Sequence, residues 1–201
     1  MLGDLGLHLR VWGDVSKPLV LLLHGGKDHG RSWDWTVAAL VDEYCLAVPD
    51  LRGHGESDWP SGGGYDSFDF VCDLARIVET LVADGFKAPI HLVGHSLGGN
   101  IALHYTAAQP SRVRSLLCIE GLGFSQKSYD QLTDKPPEER VREAVERRLK
   151  IAERRPRSFE TAEDGIQRLA KLHANLTEDQ AEHLARHALR ETPAGWQWKH
   201  D

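Results

Sequence analysis

Residues that mark metal sites, disulfide frameworks and membrane spans are scarce in this sequence. Three of the 201 residues are cysteine, and Cys45, Cys72 and Cys118 stand singly, without the paired spacing of a zinc site. The longest aliphatic run, Leu19 to Leu23, is far too short to cross a bilayer. These absences predict a cytoplasmic protein with free thiols, no metal site and no membrane partner.

Positive charge is also in short supply. The chain carries 24 lysine and arginine residues against 30 aspartate and glutamate residues, which gives a formal net charge of −6 at pH 7. A surface that binds nucleic acid needs an excess of positive charge, so nucleic acid is not expected as a partner. Hydrophobic residues make up 41% of the sequence, which is enough for the core of one domain of this length.

The first 124 residues do contain an alternation of short apolar runs and helical patterns. The runs lack the polar alternation of a half-exposed strand and cover residues 19–23, 44–49, 90–93 and 113–119. Helices are predicted between them, one from Trp33 to about Asp42 and one that Ser67 caps. The alternation predicts an α/β fold in which residues 1–124 form a doubly wound, mostly parallel sheet.

From about residue 124 onward the pattern is that of helices only. Pro136 opens one predicted helix, and the capping residues Thr161 and Thr177 open two more. Their apolar stripes are narrow, as in the row formed by Val141, Val145 and Leu149. We therefore expect residues 125–201 to form an all-helical cap that lies over the core and does not fold as an independent domain.

A serine between two glycines follows the third apolar run. Gly94, Ser96 and Gly98 fit the pattern G-x-S-x-G, with a predicted strand before the serine and helical spacing of apolar residues after it. In such a turn a serine is held in a strained backbone conformation and serves as a nucleophile. The simpler alternative is that Ser96 only caps the helix that follows.

A second glycine-containing turn ends the first apolar run, at His24-Gly25-Gly26. Backbone N–H groups from such a turn and from the residue after a nucleophile stabilise the oxyanion of acyl transfer. Here those two donors would belong to Gly26 and Leu97. The alternative is an ordinary glycine turn with no part in chemistry.

Taken together, these motifs resemble the α/β-hydrolase fold family, in particular its cap-bearing serine hydrolase-like group. The matching segments extend over the whole chain and are His24-Gly25-Gly26 with Asp28 and Trp33, then residues 50–57, 94–100, 119–123 and 196–201. The resemblance implies a serine hydrolase that needs no cofactor and acts on a small, apolar ester or related acyl substrate. It also implies substrate contacts from His95 and Trp33.

The family's catalytic triad is incomplete in this sequence. Its members place an acid and then a histidine after the nucleophile, on loops that follow late strands. Glu120 matches the acid of some members and is otherwise a structural carboxylate, whereas Asp50 matches a structural loop. None of the 11 histidines is well placed: His104, for example, lies about 12 Å beyond Ser96 on the same predicted helix. We expect the chain to stop before the last two core strands and the catalytic histidine.

Three hypotheses about function follow. The preferred one is a fragment or truncated form of a serine hydrolase, nearly inactive by itself, whose substrate the sequence does not name. The second is a non-catalytic ligand-binding protein that keeps the pocket and the cap. The third is a split protein completed by another chain, since the strand predicted at 113–119 would leave a sheet edge open to self-association.

Overall fold

The computed structural model describes residues 5–60, 64–123, 134–152 and 158–200. Its main sheet has five strands in the order β1-β3-β2-β4-β5. They are β1 (Leu9–Trp12), β2 (Leu19–Leu23), β3 (Cys45–Pro49), β4 (Ile90–His95) and β5 (Val113–Ile119). Strand β1 is antiparallel to β3, and the other neighbours are parallel. The predicted mostly parallel sheet is confirmed, while the predicted domain boundary at 124–125 lies outside the described residues.

Helices cover both faces of the main sheet. A short 3₁₀ turn precedes the first helix, and the helices are α1 (Asp34–Leu40), α2 (Ser67–Ala83) and α3 (Leu97–Ala108). Alternate residues of β2 enter different apolar clusters: Leu21 packs with residues of α2 and α3, whereas Leu22 packs with Val37 of α1. All five residues of β2 are buried. Burial on both faces explains why this strand has a continuous apolar run and no alternation.

The cap segment, which we define as the described residues 134–152 and 158–200, holds three helices. They are α4 (Pro137–Ala152), α5 (Ala162–Leu172) and α6 (Glu178–Ala188). The predicted capping boxes are confirmed at Thr161, whose hydroxyl accepts from the N–H of Asp164, and at Thr177, whose hydroxyl accepts from the N–H of Gln180. Within the described part of the chain, no helix is long and apolar enough to cross a bilayer.

The cap segment is not all-helical, so that expectation is corrected here. A small antiparallel sheet in the order β6-β8-β7 is formed by β6 (Ser158–Phe159), β7 (Leu189–Thr192) and β8 (Gly195–Trp198). The rings of Phe159 and Trp198 pack at 5.2 Å between centroids. Strands of two to four residues are too short to show an alternating pattern, so they could not be predicted from the sequence.

Strand β5 forms one edge of the main sheet and pairs with β4. It is less buried than its apolar sequence predicts, because Leu117 is 56% exposed and Ile119 is 43% exposed. The prediction of a fully buried strand is therefore wrong for β5. Among the described residues, nothing pairs with its outer edge, so an apolar strand edge faces solvent.

Candidate active site

Ser96 occupies the turn between β4 and α3 with φ 50° and ψ −109°. Side chains other than glycine rarely adopt such a conformation, and it persists only where the surrounding structure enforces it. The Ser96 hydroxyl makes no capping hydrogen bond to the helix. The simpler alternative, a serine that merely caps α3, is therefore wrong, and the hydroxyl is left available at the helix N-terminus.

Three glycines enforce this conformation by bringing backbone segments into close contact. A Cβ atom at Gly98 would collide with the carbonyl oxygen of Leu23, and one at Gly94 would collide with the carbonyl of Gly98. Gly121, which has φ 71°, has no room for a Cβ because the carbonyl oxygen of Ser96 occupies that space. Strand β4, helix α3 and the end of β5 thus hold the serine from three sides.

Strained backbone conformations are concentrated at the carboxyl ends of the parallel strands. Three described non-glycine residues have positive φ: Lys27 at 62°, Ser96 at 50° and Glu120 at 62°. They follow the carboxyl ends of the parallel strands β2, β4 and β5. In open α/β sheets ligands bind at this edge, and strained residues cluster at functional sites.

The predicted oxyanion donors lie next to this serine. A Cβ on Gly25 would be 3.6 Å from the Cβ of Ser96, and a Cβ on Gly26 would be 3.9 Å from Leu97 Cδ2. Within the described residues, neither the N–H of Gly26 nor that of Leu97 is bonded to an acceptor. Unengaged backbone donors near an uncapped hydroxyl are the groups from which an oxyanion hole is built.

Comparison with known proteins identifies the family to which this fold belongs. A sequence model of the alpha/beta hydrolase fold matches residues 18–199. The chain belongs to the alpha/beta hydrolase fold family. It is 29% identical over 197 residues to a serine hydrolase-like protein of Danio rerio, covering 96% of this chain and 57% of that protein. It is also 37% identical over 114 residues to the lipase LipV of Mycobacterium tuberculosis, covering 57% of this chain and 41% of that protein.

Solved structures give the same fold. The thioesterase domain from the curacin biosynthetic pathway superposes with a TM-score of 0.80 at 24% identity and covers all of this chain, but the chain covers 70% of that domain. This chain therefore spans only part of the length of the proteins it matches, between 41% and 70% in these three cases.

His24, which directly follows β2 and begins the turn His24-Gly25-Gly26 (hereafter the oxyanion turn), is fixed as a neutral structural residue. Its Nδ1 donates to the carbonyl oxygen of Gly25 at 2.7 Å, and its Nε2 accepts from the N–H of Leu51 at 2.9 Å. Burial first, and the nearby His54 second, lower the pKa of His24 from 6.5 to about 4. Both ring nitrogens of His24 are occupied, so it cannot take the Ser96 proton.

The two candidate acids have different surroundings. The N–H of Ser96 donates to the carbonyl of Ile119 at 3.0 Å. This bond brings the backbone of Glu120 next to the turn at residues 94–98, which we call the elbow. The Glu120 side chain is exposed, and no histidine among the described residues pairs with it. As the candidate triad acid, Glu120 therefore has no imidazole to orient within the described part of the chain.

Asp50 is buried and organises loops. It accepts N–H hydrogen bonds from Gly30 at 2.6 Å and from Glu56 at 3.1 Å, and it pairs with His8 Nδ1 at 2.8 Å. Burial alone would raise the pKa of Asp50. This effect is more than offset by the N–H groups of Gly30 and Glu56 and by the nearby His24, so the pKa of Asp50 lies below its ordinary value. Its oxygens are committed to the loops that follow β2 and β3 and to the segment before β1.

The two predicted substrate contacts also differ. The His95 ring lies against the oxyanion turn, with Nδ1 2.9 Å from where a Cβ of Gly25 would stand. Trp33 is only 9% exposed and packs with Val20 and Leu22 in the apolar cluster beneath α1. Trp33 therefore fills the core, and we give it no part in the mechanism proposed below.

Two histidines of α6, His183 and His187, lie against the core. His183 Nε2 lies 3.0 Å from a carboxylate oxygen of Asp34, and the rings of His183 and His187 are 4.8 Å apart. His29, in the core, is buried, and its Nε2 donates to the carbonyl of Leu184 at 3.0 Å. The i,i+4 spacing of His183 and His187 could have indicated a shared helix face. None of the hydrogen bonds in the described part of the chain joins a histidine to Ser96.

A pocket of about 360 Å³ opens between the core and the cap segment. It is lined by residues 55–59 of the loop after β3 and by Arg190 and Lys199. The Arg190 guanidinium lies 4.2 Å above the ring of Trp59, and Lys199 pairs with Glu56 at 2.5 Å. Ser96 does not line this pocket, so the pocket lies at the contact between the cap segment and the core and is separate from the elbow.

Replacing Ser96 by glycine is expected to stabilise the protein. Glycine adopts positive φ freely, so Ser96→Gly removes the backbone strain and should raise the free energy of unfolding by about 1 kcal/mol. Ser96→Ala, which keeps the strain, should leave stability nearly unchanged. Urea denaturation of the three proteins tests this. An increase for alanine equal to that for glycine would show that the hydroxyl, not the backbone, carries the cost.

Proposed function

We propose that this chain carries the nucleophile and oxyanion hole of a serine hydrolase for small, apolar esters or related acyl substrates. Ser96 Oγ would attack the substrate carbonyl carbon, and the N–H groups of Gly26 and Leu97 would stabilise the oxyanion that forms. The observation that carries this proposal is Ser96 itself: strained, uncapped and beside two unengaged donors. The names of a serine hydrolase-like relative and a lipase relative support the reaction class.

The remaining parts of the mechanism are assigned as follows. The Ser96 proton must pass to a base, and we assign that base to a histidine outside the described residues. Glu120 would orient this histidine and stabilise its charge, as the acid of a triad does. The N-terminus of α3 favours negative charge at the oxyanion, and His95, against the oxyanion turn, would contact the acyl group.

Labelling with a fluorophosphonate tests the proposal. The reagent should modify Ser96, Ser96→Ala should abolish the label, and Ser115→Ala, a change on the exposed edge strand, should not. Because the base is assigned to residues outside the described chain, labelling is measured for residues 1–201 and for any longer product of the same gene. Absence of label in both would contradict the hydrolase proposal and favour a non-catalytic binding protein.

The exposed edge of β5 supports a second proposal, self-association or completion by another chain. Leu117 and Ile119 leave apolar surface beside an unpaired strand edge, which favours pairing with a further strand. Leu117→Lys is expected to lower self-association measured by sedimentation velocity at least several-fold. Phe68→Lys, which changes an equally apolar but 79% exposed side chain on α2, should leave it unchanged. Equal effects of the two variants would argue against association through β5.

A further inference from the structure

One imidazole connects the oxyanion turn to the loop that follows β3. His54 is 7% exposed, and its Nε2 accepts the N–H of Lys27 at 3.1 Å. Its Nδ1 lies 2.8 Å from the carbonyl oxygen of Arg52 and must donate to it. His54 therefore makes both contacts only as a neutral ring with its proton on Nδ1.

Lys27 is the point at which the oxyanion turn needs such support. It follows Gly26 directly and has φ 62°, a conformation that costs a non-glycine residue about 1 kcal/mol or more. Without His54 the Lys27 N–H would lose its acceptor, and the turn could relax toward an ordinary backbone conformation. Relaxation at Lys27 would rotate the Gly26–Lys27 peptide unit, and because the Gly26 Cα joins that unit to the Gly26 N–H, this donor would move as well.

We propose that His54 is a positioning residue of the oxyanion hole, which holds the Gly26 N–H beside Ser96 by accepting the N–H of Lys27. The effect of His54 on catalysis rests on the proposed function. The contact between His54 and Lys27 does not depend on that function.

The surroundings of His54 fix it in place. Its ring lies 5.3 Å from that of His24, which is itself bonded to the oxyanion turn. The backbone of His54 pairs in an antiparallel bridge with His200, at the end of the cap segment. A residue held by the β3 loop, the neighbouring imidazole and the cap segment is well suited to keep a strained turn in one conformation.

Two substitutions separate the contacts of His54. In His54→Asn the side-chain amide reaches the place of Nδ1, so donation to Arg52 is retained and the acceptor for Lys27 is lost. In His54→Gln the side-chain carbonyl reaches the place of Nε2, so the acceptor is retained. We expect amide-hydrogen exchange at Lys27, whose N–H His54 accepts, to rise at least tenfold in His54→Asn and to stay within about threefold of the unsubstituted protein in His54→Gln. Exchange in β4 should not change in either.

The result that would overturn the proposal is equal exchange at Lys27 in the two variants. A measurement on the unsubstituted chain keeps the test decisive if a variant does not fold: the ¹⁵N shifts of the His54 ring should show the proton on Nδ1. A proton on Nε2 would equally overturn the proposal, because Nε2 could not then accept from Lys27.

The exchange measurement needs no reaction, so it is separable from the labelling of Ser96. Where Ser96 is labelled, His54→Asn should slow the labelling about 10- to 100-fold and His54→Gln should restore most of the rate, as expected for disturbance of one oxyanion donor. If exchange at Lys27 changes as expected but Ser96 is never labelled, the positioning role of His54 is supported and the hydrolase proposal is contradicted. Labelling with unchanged exchange in His54→Asn would contradict the positioning role alone.

Discussion

Gly98→Ala is expected to lower the free energy of unfolding by about 3 kcal/mol or more, enough to prevent stable folding of many domains of this size. Gly98 is the second residue of α3, where alanine is favoured over glycine by about 1 kcal/mol on helix propensity alone. Against that gain, a Cβ at Gly98 would collide with the carbonyl oxygen of Leu23 and lie 2.7 Å from the carbonyl oxygen of His24. Both oxygens belong to the backbone at the end of β2, which is buried on both faces and cannot move away.

Gly26→Ala is the matched control for this prediction. A Cβ on Gly26 meets nothing closer than Leu97 Cδ2 at 3.9 Å, the flexible end of a side chain. The change should therefore alter stability by less than about 1 kcal/mol. Urea denaturation followed by circular dichroism measures both variants. A Gly98→Ala protein as stable as Gly26→Ala would show that α3 does not lie against the end of β2 as described.

The parts of the site that the sequence predicts well are those in which neighbouring residues determine the geometry. Gly94, Ser96 and Gly98 lie within five consecutive positions, and the buried strand before them and the helix after them are visible as local patterns. The elbow could thus be predicted without knowledge of the rest of the fold. Its third support, Gly121, comes from the end of the next strand, so only the structure shows that it packs against Ser96.

Contacts between distant segments could not be predicted in this way. His29 and Leu184 are 155 residues apart in the chain, and no local pattern indicates that the cap segment would bring them together. Trp33 shows a related limit: its match to a family segment suggested a substrate contact, but the face of the sheet on which it packs places it in the core. Sequence motifs give residue types at a site, whereas the burial of each side chain depends on how the layers pack.

Acidification from about pH 6.5 to about pH 4 is expected to destabilise the folded chain. Burial lowers the pKa of His24 to about 4 from an ordinary 6.5, and burial, together with Arg31, His183 and His29, lowers the pKa of His187 to about 4, although Asp34 opposes this. Burial also lowers the pKa of His29. In this window the unfolded chain binds more protons than the folded chain, so the free energy of unfolding falls as the pH falls and is fully retained above about pH 6.5.

The size of this effect is set mainly by His24. A lowering from 6.5 to about 4 in a fully buried imidazole corresponds to about 3 kcal/mol between the two ends of the window. His187 is partly exposed, so solvent screening reduces its contribution. The lowered pKa of Asp50 acts below its ordinary value of 3.8, so it removes further stability only at more acidic pH.

Urea denaturation at intervals between pH 7.5 and 4.5 measures how the free energy of unfolding depends on pH. One variant measures the contribution of His187 to this dependence. Glutamine does not titrate, so His187→Gln should reduce the slope of unfolding free energy against pH in this window, whereas His173→Gln, a change at an exposed residue of the same cap segment, should not. Because burial lowers the pKa of His29, and His29 bonds the core to the carbonyl of Leu184 in the cap segment, acid should first increase amide exchange in α6. A His187→Gln profile parallel to that of the unsubstituted chain would show that the cap histidines do not contribute, and the whole effect would then belong to His24 and the core.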